Sequence, residues 1–445
     1  MKQNYVERTS DDILNAAKRF DTYHTLFRIY VDTHKGAIKS SLDRGTVWYP
    51  KDILTDDILE LLGSKRTPRS YSYGPEEGDE KLRGIVAGVE NARYGTSYTS
   101  KEVAIMPGAW AGLEFAIQEI LNLKGGKTEG KVAIIGPTLY QMFYAPIKSL
   151  GIEMKAFDFV MPGSSHIPES MDDMERVFEY KPKIIVVTNP NNPDGLYFKP
   201  DLLRDVIERA KKEGTYIIID EIQNCFTRSD INGLGYGNWI QATNVVRVDS
   251  PSKRYALADC RVGWMIAHSD ILHGKYNKID DLEGWAKQKI SDWLGGNIED
   301  KLPTRLEGAV GRMSNNIGNA PRVANTILAY LLSEEQKKIT EHTDFFNEPQ
   351  RRMMEKMEYI VERLQNMPRV AEILIPESCV NVTAQFNYKC SDMQLSAKLM
   401  EEGTLIMPAS GYGYRPEDSV LRITFAEKPD KLKHSMDTLK KVLSQ

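Results

Sequence analysis

The central part of the sequence alternates short apolar segments with longer amphipathic ones, and this alternation restricts the fold more than any other feature. Segments with helical periodicity, such as "PDLLRDVIERAKKEG" (200–214), separate runs rich in β-branched residues. Those runs are "EVAIM" (102–106), "KVAII" (131–135), "KIIVVTN" (183–189), "TYIIID" (215–220), "NVVRVDS" (244–250) and "VGWMIA" (262–267). Strands that are apolar on both faces and separated by helices predict a mostly parallel α/β sheet.

The C-terminal part of the sequence predicts a second, smaller domain. "EPQRRMMEKMEYIVERLQNM" (348–367) has the pattern of a long amphipathic helix, and "CVNVTAQF" (379–386) and "VLRITFA" (420–426) have the pattern of strands. The predicted division is an N-terminal arm with part of the small domain at 1–64, a large α/β domain at 65–315 that carries a helical insertion at 268–310, and a C-terminal small domain at 316–445.

Length and composition fit a globular protein and exclude several classes of partner. The 445 residues are enough for two domains, and 41% apolar and 27% charged residues are ordinary values. A net charge of −4 and an isoelectric point near 6.1 give no reason to expect nucleic acid or a membrane as partner. The four cysteines show no metal or disulfide spacing, and the polar N-terminus is unlike a secretory signal. We therefore expect a cytoplasmic protein with free thiols.

Polar residues follow the predicted strands where a parallel sheet binds its ligands. "TNPNNPDG" (188–195) carries Asn192, and "TYIIID" ends on Asp220. A simple turn explains the first motif and a solvated carboxylate the second. Ligands in open α/β sheets nevertheless bind beyond the carboxyl ends of strands, where Asn192 could donate to a ligand oxygen and Asp220 would need a cationic partner.

Two further motifs point to an anion and to a reactive amine. In "MPGAWAGLEFAIQEI" (106–120), Gly108 and small residues precede a helix, and such a loop offers backbone N–H groups to an anion. It lacks the GxGxxG pattern of a dinucleotide site, which argues against a nicotinamide dehydrogenase. In "VDSPSKRYALADCRVGW" (248–264), Lys253 lies between two apolar strands, where a lysine must be paired, neutralised or covalently occupied.

Taken in order, these motifs resemble those of the class I/II aminotransferases, the large family of fold-type I pyridoxal-phosphate enzymes. "NPNNPDG" resembles N-P-x-x-P-[TS]-G, "DEIQ" resembles D-E-x-Y, and "SPSK" with Arg261 resembles S-x-[ST]-K and its following arginine. "SYGPEEGDEKLR" (72–83) and "VLRITFA" also resemble family segments. The likeness covers roughly 65–265 and 315–430. It implies a mostly parallel seven-stranded sheet in a large domain, with a smaller α+β domain.

The resemblance also implies the roles of individual residues around a bound pyridoxal 5'-phosphate. Lys253 would bind the aldehyde of the cofactor and act as the general base, and Asp220 would keep the pyridine nitrogen protonated. Asn192 would donate to the phenolic oxygen. The phosphate would be held by the backbone around Gly108, Ala109 and Trp110, by the Ser250 hydroxyl and by Arg261, and Ser252 would also contact the cofactor.

Other implied roles concern the substrate, the ring face and a second subunit. Arg422 would bind the α-carboxylate of an amino acid or a 2-oxo acid, with Asn192 beside it. Tyr140 is a candidate to stack on the cofactor ring, although the aromatic of the family often falls one position earlier, at Leu139 here. Tyr73 would reach the phosphate of a neighbouring subunit, which implies a homodimer with shared active sites.

Two departures from the family pattern leave the reaction open. Gln223 stands where the family usually has a tyrosine that donates to the phenolic oxygen, and the 268–310 segment lengthens the chain. An aminotransferase is the first hypothesis, and a lyase, cyclase, decarboxylase or oxidase of an amino acid on the same fold is the alternative. A cofactor-binding transcription regulator has no helix-turn-helix pattern to support it. Candidate readers of the substrate side chain, which is not identified, are Trp285, Trp293, Arg415 and Asp280.

Overall fold

The computed structural model describes residues 6–43, 47, 60, 74–122, 130–159, 167–228, 233–273, 284–294, 308–341 and 347–445. The strands are β1 (Val6–Arg8), β2 (Ser40–Leu42), β3 (Val103–Met106), β4 (Lys131–Ile135), β5 (Glu153–Asp158), β6 (Ile184–Thr188), β7 (Tyr216–Asp220), β8 (Val245–Asp249), β9 (Gly263–Ala267), β10 (Val370–Leu374), β11 (Asn381–Phe386), β12 (Thr404–Pro408) and β13 (Val420–Thr424). The helices are α1 (Ser10–Thr33), α2 (Glu80–Tyr94), α3 (Ala109–Asn122), α4 (Tyr144–Leu150), α5 (Met171–Glu179), α6 (Pro200–Glu213), α7 (Pro251–Arg254), α8 (Ser269–His273), α9 (Gly284–Leu294), α10 (Gly308–Asn316), α11 (Arg322–Thr340), α12 (Asn347–Gln365), α13 (Asp392–Glu401) and α14 (Pro429–Leu443).

The large sheet has eight strands in the order β1-β5-β4-β6-β7-β8-β9-β3. Strands β5, β4, β6, β7 and β8 pair in parallel, whereas β9 is antiparallel to both of its neighbours and β1 is antiparallel to β5. The prediction of seven strands is therefore one short. The additional strand, Val6–Arg8, is three residues long and partly exposed at the sheet edge, so it leaves no hydrophobic pattern in the sequence.

Helices cover both faces of this sheet, which explains why its central strands are apolar throughout. Alternate residues of β6 point to opposite sides. Ile184 and Val186 pack in a core with residues of α3 and α10, and Ile185 and Val187 pack in another with residues of α5 and α6.

The second sheet has five strands in the order β10-β11-β13-β12-β2. Its C-terminal strands pair antiparallel, and β2, which comes from the N-terminal part of the chain, pairs in parallel with β12. Helices α12, α13 and α14 bury apolar residues against this sheet, among them Ile360, Leu399 and Met436. The boundaries predicted at 64/65 and 315/316 remain predictions. Of the predicted insertion at 268–310, residues 274–283 and 295–307 lie outside the described residues.

Hydrogen bonds join the loop after β6, in the large domain, to the smaller sheet and the segment before it. The backbone N–H groups of Glu377 and Ser378 both donate to the Gly195 carbonyl at 3.0 Å, and Thr383 Oγ1 on β11 donates to the Pro193 carbonyl at 3.0 Å. Gly195 has φ +74°, and a Cβ there would lie 2.3 Å from the Ser378 carbonyl oxygen. The motif "NPNNPDG" is thus held between the two sheets.

Among the described helices, none is long and apolar enough to cross a membrane. Cys225, Cys260, Cys379 and Cys390 are free cysteines, as predicted from their spacing. In the same described part of the chain, no group of three or more His, Cys, Asp or Glu side chains could hold a metal ion.

Candidate active site

The three strand-end motifs meet at one edge of the large sheet. Strands β6, β7 and β8 are parallel neighbours, so their carboxyl ends lie side by side. The backbone N–H of Asn189 donates to the Asp220 carbonyl at 2.8 Å, and that of Glu221 donates to the Val248 carbonyl at 2.9 Å. Residues far apart in the sequence therefore share this edge, which is the ligand-binding edge of an open α/β sheet.

Lys253 lies on α7, the short helix that begins directly after β8. Ser250 caps this helix, because its Oγ accepts from the Ser252 backbone N–H at 3.2 Å, and Pro251 occupies the first helical position. Burial, together with the charge of Arg422, lowers the pKa of Lys253 to about 8, and the charge of Asp220 opposes the shift. About a tenth of this amine is therefore neutral at pH 7.

Asp220 is the last residue of β7 and is buried. Burial raises the pKa of Asp220 to about 6, and the N–H of Ile222, which donates to Oδ1 at 3.0 Å, and the charge of Lys253 limit the rise. A second cationic group placed against this carboxylate would keep it ionised.

Two buried amides beside these residues have unused hydrogen-bonding capacity. The side chains of Asn192 and Gln223 are 8% and 3% exposed, and the amide oxygen of each has no hydrogen-bond partner among the described residues. A buried polar atom without a partner costs free energy. Rotation of either amide by half a turn would present its NH₂ group instead, so both suit a polar ligand at the sheet edge.

The loop before α3 forms a cradle for an anion. Gly108 has φ +91°, and a Cβ there would lie 2.7 Å from Arg261 Nη2, so the guanidinium lies against this backbone. Arg261 Nη1 donates to the Ala258 carbonyl at 2.9 Å, which orients the side chain. Ala109 begins α3, whose N-terminus offers unpaired N–H groups to an anion.

Three other predicted cofactor contacts are Ser250, Ser252 and Trp110. Ser250 and Ser252 are buried, with their hydroxyl oxygens 2.8 Å apart. Trp110 lies in the first turn of α3 and is 39% exposed; it lines a surface cavity together with Pro107 and Arg261.

Arg422 approaches the site from the smaller sheet. It lies on β13 opposite Thr383 and Met407, is buried, and donates from Nη2 to the Asp43 carbonyl at 2.5 Å. Its Cζ lies 4.9 Å from the centre of the Tyr412 ring, and its Nε has no partner within the described residues. Its charge is one of the causes of the lowered pKa of Lys253.

Of the remaining predicted residues, four are described and two are not. Tyr140 is fully buried; its hydroxyl donates to the Gly136 carbonyl at 3.3 Å and Gly413 packs against its ring. Of the candidate substrate readers, Trp285 and Trp293 are 69% and 75% exposed on α9. Arg415 is exposed and pairs with Asp418 at 2.8 Å, whereas Tyr73 and Asp280 lie outside the described residues.

Residues that the sequence did not reveal also line or support the site. Tyr412 lies beneath the Arg422 guanidinium, and the buried Cys225 and Cys379 are close enough to Lys253 to influence its pKa. Arg254 could have been found from the sequence, because it is a second cation directly after Lys253, and a buried cation needs partners.

A family model described as aminotransferase class I and II matches residues 54–439. The chain belongs to the aminotransferase class I and II family. The family, the fold class and the enzyme class predicted from the sequence, an aminotransferase, are thereby confirmed. Residues 54–439 include the predicted motifs around Asn192, Asp220, Lys253 and Arg422.

Two named plant proteins and one solved bacterial structure illustrate what the chain is similar to. The chain is 26% identical over 354 residues to "Probable aminotransferase TAT3" of Arabidopsis thaliana, which covers 78% of this chain and 70% of that protein. It is 21% identical over 392 residues to the S-alkyl-thiohydroximate lyase SUR1 of the same plant, covering 86% and 74%. Among solved structures, an aspartate aminotransferase mutant of Thermus thermophilus superposes with a TM-score of 0.72 at 15% identity, covering 96% of both chains, which establishes the fold.

Proposed function

We propose that the protein is a pyridoxal-phosphate-dependent aminotransferase that transfers the α-amino group of an amino acid to a 2-oxo acid. The proposal is carried by the electrostatic interaction of an amine, a carboxylate and a guanidinium. The charges of Asp220 and Arg422 both shift the pKa of Lys253, in opposite directions. The family match gives this arrangement its chemical meaning.

The residues present fit pyridoxal phosphate, as three structural observations indicate. The Gly108–Arg261 cradle suits a phosphate, the buried amides of Asn192 and Gln223 have unused polar atoms, and Asp220 is a buried carboxylate suited to a protonated ring nitrogen. When bound, the cofactor supplies an aldehyde that combines with amines and a ring that withdraws electrons from the substrate α-carbon.

The chain's own residues would then perform the remaining tasks. Lys253, with its lowered pKa, would hold the cofactor and move a proton at the α-carbon of the substrate. Asp220 would keep the ring nitrogen protonated. Arg422 would bind the α-carboxylate through a bidentate pair and so orient the bond that breaks.

The proposal includes a cytoplasmic homodimer in which Tyr73 reaches the phosphate site of the neighbouring subunit. It rests on the family resemblance of the Tyr73 segment. Sedimentation of the purified protein with and without pyridoxal phosphate would measure the oligomeric state, and a monomeric holoenzyme with full activity would contradict shared sites.

A lyase acting on an amino-acid-like substrate is the second candidate. Two observations favour it: Gln223 replaces the usual tyrosine, and the chain is similar over 86% of its length to a protein named a lyase. Glutamine has no ionisable proton, so it would present a different electrostatic environment to the phenolic oxygen.

Single amino acids added to the holoenzyme distinguish the two functions. Transamination predicts that the absorbance of bound pyridoxal phosphate falls while pyridoxamine phosphate and a 2-oxo acid appear in equal amounts. Consumption of the amino acid without pyridoxamine phosphate would contradict transamination and support the lyase. Mass spectrometry of the products provides the measurement.

A further inference from the structure

A chain of buried ion pairs lies behind the candidate site. Arg247 on β8 forms a bidentate pair with Glu221, with Nε and Nη2 each 2.7 Å from a carboxylate oxygen, and its Nη1 lies 2.7 Å from Glu90 Oε2 on α2. Glu90 in turn lies 3.8 Å from Arg93 Nη1, and Arg93 contacts Glu335 on α11. The chain therefore extends from the end of β7 through two helices.

The second half of the chain of ion pairs returns to α7. Glu335 Oε1 lies 3.5 Å from Arg254 Nη1, and the Tyr255 hydroxyl donates to Glu335 Oε2. Arg254 Nη2 donates to the Asn224 carbonyl at 2.8 Å, in the turn that carries Gln223. Arg254 thus connects the helix of Lys253 to the turn that follows Asp220.

The ends of this ion chain are the immediate neighbours of the two central site residues. Glu221 follows Asp220, and Arg254 follows Lys253. The six members, Glu221, Arg247, Glu90, Arg93, Glu335 and Arg254, comprise three carboxylates and three guanidiniums, and their side chains are at most 16% exposed. Burial alone would raise the pKa of Glu335, but Arg93 and Arg254 lower it, so this carboxylate stays ionised.

Buried ion pairs are weak evidence for stability, because desolvation offsets their attraction, although breaking one leaves an uncompensated charge. Their directional hydrogen bonds do fix geometry, particularly where arginine forks are bidentate. This chain joins parts of the sequence that have no local contact, and both of its ends adjoin the site. If the ion chain positions the site residues next to its ends, this role explains why charged rather than apolar side chains occupy this buried region.

We propose that the ion chain from Glu221 to Arg254 positions the carboxylate of Asp220 and the amine of Lys253 relative to each other, with Glu335 as its central positioning residue. The inference rests on the proposed function. Without the Glu335 charge, Arg93 and Arg254 face each other as buried like charges. Arg254 then moves, and α7 and the Asn224 carbonyl move with it.

The test compares Glu335→Gln with a matched control, Glu119→Gln. Glu119 is also buried, near the C-terminal end of α3, and its Oε2 accepts from Arg312 Nε at 2.7 Å. Within the described residues, no hydrogen bond or ion pair joins it to α7. Both holoenzymes are assayed for kcat and KM, for visible circular dichroism of bound pyridoxal phosphate, which reports ring orientation, and for melting temperature. We expect both variants to melt earlier. Glu335→Gln should also lose at least tenfold in kcat with KM within twofold, and change the visible dichroism, whereas the control should keep wild-type values for both.

If Glu335→Gln and Glu119→Gln destabilise alike and both keep the wild-type kcat and dichroism, the ion chain is structural only and the proposal is wrong. If Glu335→Gln yields no folded protein, the comparison is made with Arg254→Lys, which keeps the charge but loses the fork that reaches both Glu335 and Asn224. Wild-type kcat and dichroism in Arg254→Lys would equally overturn the proposal. A wild-type protein that binds no pyridoxal phosphate would instead refute the proposed function, so the two failures are distinguishable.

Discussion

The buried ion chain behind the site and the exposed pairs on α12 use the same chemical groups in opposite ways. On α12, Glu348 pairs with Arg351 at 2.8 Å and with Arg352 at 2.6 Å, all at spacings of three or four residues and with side chains about half exposed. The chain from Glu221 to Arg254 joins strands and helices distant in sequence, away from water. Exposed pairs contribute about 0–1 kcal/mol each, whereas buried ones constrain geometry. The two sets of ion pairs therefore differ in burial and in the sequence separation of their partners, not in the chemical groups that they use.

The largest effect is expected when two lysines are compared: Lys253, which precedes Arg254 of the ion chain, and Lys356 on α12. Burial lowers the pKa of both Lys253 and Lys356, on α12, to about 8. We expect Lys253→Ala to lose covalent cofactor and activity by about four orders of magnitude or more, because it removes both the attachment point and the base. Lys356→Ala should keep both. Borohydride reduction and peptide mass mapping measure the attachment, and a label on a lysine other than Lys253 would refute the assignment.

The next largest effect is expected for Asp220→Asn. An amide cannot keep the ring nitrogen protonated, so we expect the variant to bind cofactor at wild-type stoichiometry and to lose kcat by at least about a hundredfold. Asp392→Asn is the control, because burial also raises the pKa of Asp392, to about 7, but its Oδ2 accepts from the Ser410 N–H on the small domain. Equal kcat in the two variants would show that Asp220 has no special role.

The pH dependence of acylation sharpens the comparison further. With a pKa of about 8 instead of the ordinary 10.5, Lys253 and Lys356 in cofactor-free protein should each acylate with a midpoint near pH 8. At pH 7 the neutral, nucleophilic fraction of both amines should exceed that of an exposed lysine by about two orders of magnitude, because a lower pKa enlarges this fraction. Pyridoxal phosphate should then protect Lys253 alone. Quantitative mass spectrometry gives the rates, and protection of both lysines would argue against a single site.

Gln223→Tyr should have a smaller effect that concerns product distribution. Tyrosine would restore the usual donor to the phenolic oxygen. An aminotransferase should keep the ratio of 2-oxo acid to other products within about twofold, whereas a lyase should show a changed ratio, because the donor alters how charge is held. Product analysis of wild type and variant on one substrate decides between them.

The smallest effect is expected for a substitution among the exposed ion pairs on α12. Arg351→Ala removes the pairs with Glu348 and Glu355, yet we expect the free energy of unfolding to change by less than about 1 kcal/mol and kcat to stay unchanged. Denaturant titration measures the change. A loss above about 3 kcal/mol would mean that exposure does not separate the two kinds of ion pair.

The contrast between local and long-range contacts also explains which features could be predicted from the sequence. Local periodicity and strand-end motifs were enough for the parallel sheet and for placing Asn192, Asp220 and Lys253 at one edge, because parallel strands align their carboxyl ends. Neither β1 nor the pair between Arg254 and Glu335 was predictable, because each depends on a partner far away in the sequence: β1 pairs with β5, about 150 residues later, and Glu335 lies 81 residues after Arg254. The full burial of Tyr140 was not predictable either, because aromatic character alone does not reveal burial, and its stacking on the ring stays a prediction.

The distribution of Lys253 and Arg422 over two sheets has a consequence for exchanging parts between relatives. The proposed cofactor attachment lies at the strand ends of the large sheet, and the guanidinium proposed to bind the carboxylate lies on β13. Gly195 and Ser378 join the two sheets by a hydrogen bond. A chimera that takes its small domain from a relative could thus acquire that relative's substrate preference while its cofactor attachment stays the same. Such a graft must keep glycine at position 195, because a side chain there would clash with the Ser378 carbonyl oxygen at the junction of the two sheets.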